Sequence, residues 1–178
     1  LSLSNYNLIK NLTKDEIYHC YKDKDGVKVF LDDYAYLAQL MINFYETTGE
    51  ISYLEDAKKI AQQTWDLFYD KENKVLQKNP IKQNDLFVPP LDINDGNIPN
   101  GNNVFLLNCK KLEVITNETE WKNMTKDLIE SFHSYLNLQS TQMVSYIKNL
   151  DICDVSTTFT FYGNLEKSKE VHKYVKNK

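Results

Sequence analysis

Residues 31–49 read LDDYAYLAQLMINFYETTG, and this stretch decides the fold class of the chain. Its apolar side chains recur at positions i, i+3, i+4, i+7 and i+8, which form one stripe along an α-helix. These residues are Leu37, Leu40, Met41, Phe44 and Tyr45. Asp32 and Asp33 suit the positive end of a helix dipole, and Gly49 supplies a left-handed stop. The stretch therefore predicts an amphipathic helix between Asp32 and Gly49.

A second helix is predicted to begin at Ser52, because Ser52 and Glu55 together form an S-x-x-E capping box. Its apolar positions continue from Leu54 to Phe68. Only about three residues separate the two helices, and so short a connection makes them antiparallel neighbours. The segment from Asp32 to Phe68 is thus predicted to be a helical hairpin.

Three further helices are predicted downstream. Residues 99–103 introduce a third helix whose broad apolar surface indicates an inner position with two covered sides. The fourth helix follows Asn117, and its core-facing residues are Trp121, Met124, Leu128, Phe132 and Tyr135. The fifth helix is short, and its core-facing residues are Met143, Ile147 and Leu150. Between the second and third helices, residues 70–98 hold three of the 4 prolines. They predict a long arm with short strands at 75–77 and 86–88.

The remaining segments complete the predicted organisation. Residues 1–31 are interpreted as an irregular N-terminal segment with short strands, and residues 32–150 as the helical-hairpin region. Residues 151–178 are predicted to be a C-terminal strand-helix unit, with alternating residues from 155 to 163 followed by a helix over 165–175. The fold class is therefore mainly α, with antiparallel hairpins and a few short strands.

Composition excludes several functional classes. The net charge is −4, and the lysines are spread along the chain, which argues against a nucleic-acid groove. All 21 basic residues are Lys, so no bidentate guanidinium clamp for phosphate can form. No apolar run approaches the roughly 20 residues of a membrane span, and no signal peptide is apparent. A cytoplasmic protein without membrane contact is the expectation.

Cofactor and metal motifs are not apparent in the sequence. The 3 cysteines are an odd number, far apart, without a C-x-x-C pair, and the 3 histidines show no metal-ligand spacing. P-loop, dinucleotide-binding, nucleophile-elbow and zinc-helix motifs do not occur. We therefore expect no cofactor and no metal.

One polar constellation is a candidate binding site. If consecutive helices alternate in direction, the first and third are parallel, and their N-termini lie at the same end. Residues 31–34 then meet residues 92–102, and together they offer carboxylates, amides and a phenol suited to the hydroxyls of a sugar. The candidate substrate-binding residues are Asp32, Asp33, Tyr34, Asp95, Pro99, Asn100, Gly101 and Asn102.

Paired carboxylates in this constellation could serve as acid and base in glycoside or epimerase chemistry. The alternative is purely structural. In that interpretation Asp32 and Asp33 cap one helix, Asn100 and Asn102 cap another, and Asp95 begins a turn with Gly96. The sequence does not decide between the two, nor whether the protein is an enzyme.

Several motifs together resemble a known family. Residues 30–35 (FLDDYA), 44–48 (FYETT), 92–102 (DINDGNIPNGN) and 161–163 (FYG) look like the C-terminal half of the thioredoxin-domain-containing proteins related to spermatogenesis-associated protein 20. The resemblance covers about residues 17 to 170. It implies part of an (α/α) toroid similar to six-hairpin glycosidases and to N-acylglucosamine 2-epimerase. By motif match, it carries over the positions Asp32, Asp33, Asp95, Pro99, Gly101 and Asn102.

The sequence departs from the family pattern in two places. Residues 89–91 read PPL where family members resemble Arg-Pro-Lys, and Asn100 stands where a serine is usual. Because both cations are lost, a degenerate site without catalysis is one expectation. The function predicted is a carbohydrate-binding or degenerate sugar-converting toroid segment. The alternative is a non-enzymatic helical scaffold for protein–protein interaction.

Chain length bears on the predicted partners. A complete six-hairpin ring needs about 12 helices of roughly 12 residues each, which 178 residues cannot supply. The chain is therefore expected to be a fragment or split product. Inner hairpin faces left open would expose a large apolar patch. We thus expect a small carbohydrate as ligand, and either self-association or a complementary chain that completes the toroid.

Overall fold

The computed structural model describes residue 17, residues 29–81, residues 93–155 and residue 170, with the side chains of 137–139 and 153–155 excepted. This part of the chain is mainly helical, as predicted. In chain order its elements are α1 (Leu31–Thr48), α2 (Ile51–Phe68), β1 (Tyr69–Asp70), β2 (Val75–Leu76), α3 (Gly101–Thr116), α4 (Thr119–Gln139), a 3₁₀ turn (Ser140–Gln142) and α5 (Val144–Val155).

The α1–α2 hairpin confirms the first prediction and corrects its second cap. Gly49 ends α1 with φ of 72°, a left-handed conformation that favours glycine, and its N–H donates to the Tyr45 carbonyl. Helix α2 then begins at Ile51, with Glu50 as N-cap and no side-chain hydrogen bond at the cap. The predicted Ser52–Glu55 capping box is wrong, because the left-handed turn returns the chain to helical geometry two residues too early for Ser52 to cap it.

Helix α3 lies at the centre of the described structure. It packs against α1, α2, α4 and α5, and its buried positions surround the helix axis, as the broad apolar surface predicted. Asn117 ends it in a left-handed conformation with φ of 56°. The fully buried side chains around it form a single core, whose largest members include Trp121, Tyr146, Phe68, Phe105 and Phe132.

Helices α1 and α3 run parallel, as the alternation of directions predicted. Near their starts, the Tyr36 hydroxyl donates to the Pro99 carbonyl at 2.8 Å. At the very start of both helices, Gly101 lies beside Leu31 and Asp32, and one to two turns later the Asn108 amide donates to the Ala35 carbonyl at 2.8 Å. Near their ends, Lys111 Nζ lies 2.9 Å from a Glu46 carboxylate oxygen. Both N-termini are therefore at the same end of the molecule.

A short β-hairpin lies at the end of the molecule where α1 and α3 begin. Strands β1 and β2 are antiparallel, with Tyr69 opposite Leu76 and Asp70 opposite Val75. The strand predicted at 75–77 is confirmed over Val75–Leu76. Its partner β1 was not predicted, because Tyr69 continues the apolar pattern of α2. The Leu31 N–H donates to the Lys78 carbonyl at 3.0 Å, which joins the segment after β2 to the start of α1.

Helix α5 shows one error in the predicted core face. Met143 is buried as expected, but Ile147 is 42% exposed, and Tyr146 and Asn149 are buried in its place. The Tyr146 ring packs edge-on against Phe132 at 5.5 Å, while its hydroxyl donates to the Ile129 carbonyl. A tyrosine with a partner for its hydroxyl can replace an isoleucine in the core.

Other predicted elements lie outside the described residues. These are the strand at 86–88 and most of the short strands of residues 1–31 and of the C-terminal strand-helix unit within 151–178, of which the structure describes residues 17, 29–31, 151–155 and 170. Of the described helices, none combines the length and the apolar character needed to cross a membrane.

Candidate functional site

Several of the predicted residues lie at one end of the helices together with Tyr36. We call this end the acidic pole and define it as Asp32, Tyr36, Asp95, Pro99 and Gly101. Helices α1 and α3 approach so closely here that a β-carbon added to Gly101 would lie 2.6 Å from Asp32 Oδ1. The pKa of Tyr36 is raised by burial and by the nearby charges of Asp32 and Asp95. The Asp32 and Asp95 carboxylates therefore both raise the pKa of the Tyr36 hydroxyl.

Asp95 is held by an extensive set of hydrogen bonds. One of its carboxylate oxygens accepts from the Ser145 N–H at 2.7 Å, and the other accepts from the Ser145 hydroxyl. The Asn100 N–H and the Asn103 side-chain amide each donate to the carboxylate at 3.2 Å. Burial raises the pKa of Asp95, but these hydrogen bonds more than offset it and hold the pKa below its usual 3.8. Asp95 is thus a fixed anion that joins the starts of α3 and α5.

Asn100 and Asn102 are buried, with exposed fractions of 7% and 0%. The Asn100 side-chain oxygen accepts from the Asn103 N–H at 3.0 Å, which makes Asn100 the N-cap of α3. The Asn102 side chain accepts from the Leu76 N–H at 3.0 Å and donates to the Leu76 carbonyl at 2.8 Å. Asn100 therefore caps α3, as the structural alternative predicted, whereas Asn102 does not act as a cap and connects α3 to strand β2.

Asp33 and Tyr34 lie in the first turn of α1. Asp33 Oδ2 accepts from the Phe30 N–H at 2.9 Å, a capping bond at the helix start. Tyr34 is 8% exposed, and its ring meets Phe68 edge-on at 5.5 Å. Asp33 thus caps α1 as the structural alternative predicted, whereas Tyr34 belongs to the core.

Of the eight candidates, only some offer polar atoms near the surface. The exposed Pro99 offers its carbonyl, which accepts from the Tyr36 hydroxyl, and both Tyr36 and Asp32 are half-buried. Tyr36 was not among the candidates, although it follows Asp32 by one helical turn and so shares its face. Among the described residues, no group of histidine, cysteine or acidic side chains is arranged to hold a metal ion.

Three exposed apolar side chains lie on the two segments that the Asp95 side chain joins, and we call this set the apolar patch. It consists of Ile98, Val144 and Ile147, with exposed fractions of 63%, 63% and 42%. Ile98 belongs to the loop whose Asp95 side chain binds Ser145, the second residue of α5. Val144 and Ile147 are three residues apart on α5 and therefore lie on one face. The sequence did not indicate this patch, because Ile147 was assigned to the core.

Comparison with known proteins gives no family assignment: no family model matches the sequence, and a search of the curated proteins finds no significant relative.

Proposed function

We propose that the chain is a segment of an α/α toroid that works as a non-enzymatic scaffold and binds a second copy of itself through the apolar patch. The parallel pair α1 and α3, each followed by an antiparallel partner, is the arrangement that the toroid resemblance implies. The observation that carries the non-enzymatic part is the set of hydrogen bonds on the Asp95 carboxylate.

Acid–base catalysis would need a different environment at Asp95. A general acid or base must reach the substrate and requires a pKa near the working pH. The hydrogen bonds to Ser145, Asn100 and Asn103 occupy the Asp95 oxygens and keep its pKa low. The Asp95 carboxylate therefore stabilises the positively polarised helix starts around it. It does not serve as one of the two carboxylates of the predicted acid–base pair.

The apolar patch favours a protein partner. Apolar side chains surrounded by polar groups are the usual composition of an interface centre and its rim. Ile98 and Val144 are exposed by nearly two thirds, and the Asp95 anchor fixes their positions relative to one another. A partner that covers them gains the free energy of apolar burial without having to order a loop first.

Association should depend on this patch. The double variant Ile98→Gln/Val144→Gln is expected to weaken dimer formation by about tenfold or more, because two central apolar contacts contribute roughly 1 kcal/mol each. Sedimentation velocity over the micromolar range gives the dissociation constant. The control is Ile51→Gln/Leu67→Gln, which removes two exposed apolar side chains from α2. A wild-type protein that stays monomeric throughout, or equal losses in both variants, would contradict the proposal.

Carbohydrate binding at the acidic pole is a second candidate, favoured by the half-buried Tyr36 hydroxyl beside Asp32 and Pro99. A phenol and a carboxylate can both hydrogen-bond to sugar hydroxyls. If a sugar binds here, a thermal-shift screen of mono- and disaccharides should raise the melting temperature of the wild type. Asp32→Asn and Tyr36→Phe should abolish that rise, whereas Tyr45→Phe, at the other end of α1, should keep it. An absence of stabilisation by every sugar would reject this candidate.

A further inference from the structure

A groove lies between the C-terminal half of α2 and the N-terminal half of α4. Its volume is about 390 Å³, which is in the range of small-ligand sites. The lining includes Gln62, Trp65, Asp66, Tyr69 and Glu120. None of these residues belongs to the acidic pole or to the apolar patch, so the groove is a separate feature of the surface.

Two aromatic rings form one wall of the groove. Trp65 and Tyr69 are stacked with ring centroids 3.6 Å apart and an interplanar angle of 17°. Trp65 is also nearly parallel to the buried Phe105 ring, at 6.3 Å. The Tyr69 hydroxyl donates to Asp127 Oδ2 at 3.1 Å, which fixes the ring from its other end. The wall is therefore preorganised, and because the two stacked rings cover each other's inner faces, a cation is attracted through the quadrupole of a ring face turned away from the stack.

Charges around the wall are mainly negative. Asp66 and Glu120 line the groove against the single cation Lys71, which is exposed on the β1–β2 turn. Asp127 adds a third carboxylate behind Tyr69. The pKa of Tyr69 is raised to about 12 by burial, by its hydrogen bond to Asp127 and by the charges of Asp127 and Asp70. The same negative potential that opposes loss of the phenol proton favours a bound cation.

The side-chain oxygen of Gln62 is a hydrogen-bond acceptor to which no group donates. Its side-chain nitrogen donates to Asp66 Oδ1 at 3.0 Å, while its side-chain oxygen is buried and has no hydrogen-bond partner. A buried acceptor in that state is unfavourable, and a ligand N–H that reached it would relieve the cost. The polar groups contributed by Gln62, Asp66 and Glu120 thus favour a hydrogen-bond donor.

We propose that this groove binds a protonated primary amine, with the ammonium group against the Trp65–Tyr69 wall and between the Asp66 and Glu120 carboxylates. A lysine side chain of another polypeptide and a free alkyl diamine share this chemistry. The inference is independent of self-association, because the groove and the apolar patch have no residue in common.

The test uses two probes that differ only in the ammonium group. Nα-acetyl-lysine methylamide is titrated at low ionic strength against ¹⁵N-labelled protein, and the Trp65 indole N–H resonance, assigned with Trp65→Phe, is followed. Nα-acetyl-norleucine methylamide is the uncharged counterpart. We expect a saturable shift with the lysine probe, none with norleucine, and weakening by added salt. A parallel titration with 1,4-diaminobutane shows whether a free diamine binds more tightly than the lysine side chain.

A charge-matched pair of variants locates the effect. Glu120→Gln should weaken lysine-probe binding by about fivefold, as expected for one partly exposed charge contact. Glu55→Gln removes the same charge from an exposed position of α2 outside the groove and should leave binding within twofold of wild type. The proposal is overturned by equal shifts from both probes, by equal losses in the two variants, or by saturation with maltose in place of the amines.

Discussion

Replacing Asn102 with alanine should lower the free energy of unfolding by about 2 to 5 kcal/mol, because two buried backbone groups lose their partner at once. The Asn102 side chain is fully buried, and it bonds to both the N–H and the carbonyl of Leu76. Alanine removes the donor and the acceptor together and leaves a small cavity between α3 and strand β2. Urea unfolding followed by far-UV circular dichroism measures the change.

The exposed Asn97 provides the matched control for this substitution. Asn97→Ala removes the same chemical group five residues upstream and should change stability by less than about 0.5 kcal/mol. If Asn102→Ala were as stable as Asn97→Ala, the connection between α3 and β2 would not contribute to folding. The role assigned here to Asn102 would then be wrong.

Gly101→Ala is the second large effect, with an expected loss of about 1 to 3 kcal/mol from overpacking. The added β-carbon would lie 2.8 Å from Leu31 Cγ and 3.2 Å from the Asp32 backbone nitrogen. A side chain could rotate away from it, but the backbone of α1 cannot, so the starts of α1 and α3 must move apart. Thermal or urea unfolding detects the loss of stability.

Gly96 offers the comparison that isolates this crowding. A β-carbon there would meet no atom within 4 Å, and positive φ is confined to Gly49 among the glycines of the described chain. Gly96→Ala should therefore be neutral or slightly stabilising, since alanine restricts the unfolded chain. Equal destabilisation by the two variants would refute the close approach of α1 and α3 at Gly101.

The helices could be predicted because their apolar residues repeat with the helical period over long stretches. The start of α2 could not, since Glu50 and Ser52 are both able to precede a helix and the left-handed Gly49 favours the earlier one. Strand β1 could not be predicted either. A strand of two residues depends on its partner β2 rather than on its own sequence.

The location of the acidic pole could be predicted, whereas the roles of its residues could not. Alternating helix directions suffice to bring Asp32 and Gly101 together. An asparagine, however, can cap a helix, join two elements or bind a ligand, and only its surroundings distinguish these uses. Asn100 proved to cap α3 and Asn102 to join α3 to β2, while the contribution of Tyr36 could not be predicted because it lies in a stretch rich in apolar residues.

The parallel placement of α1 and α3 also affects the order in which parts of the chain are expected to fold. Helices α1 and α2 are separated only by Gly49 and Glu50, so their pairing closes a very short loop. The bond between Ala35 and Asn108 joins positions 73 residues apart, and contacts of such separation form slowly because loop closure costs entropy before it is compensated. We therefore expect the acidic pole to form late in folding, after the hairpins that carry it.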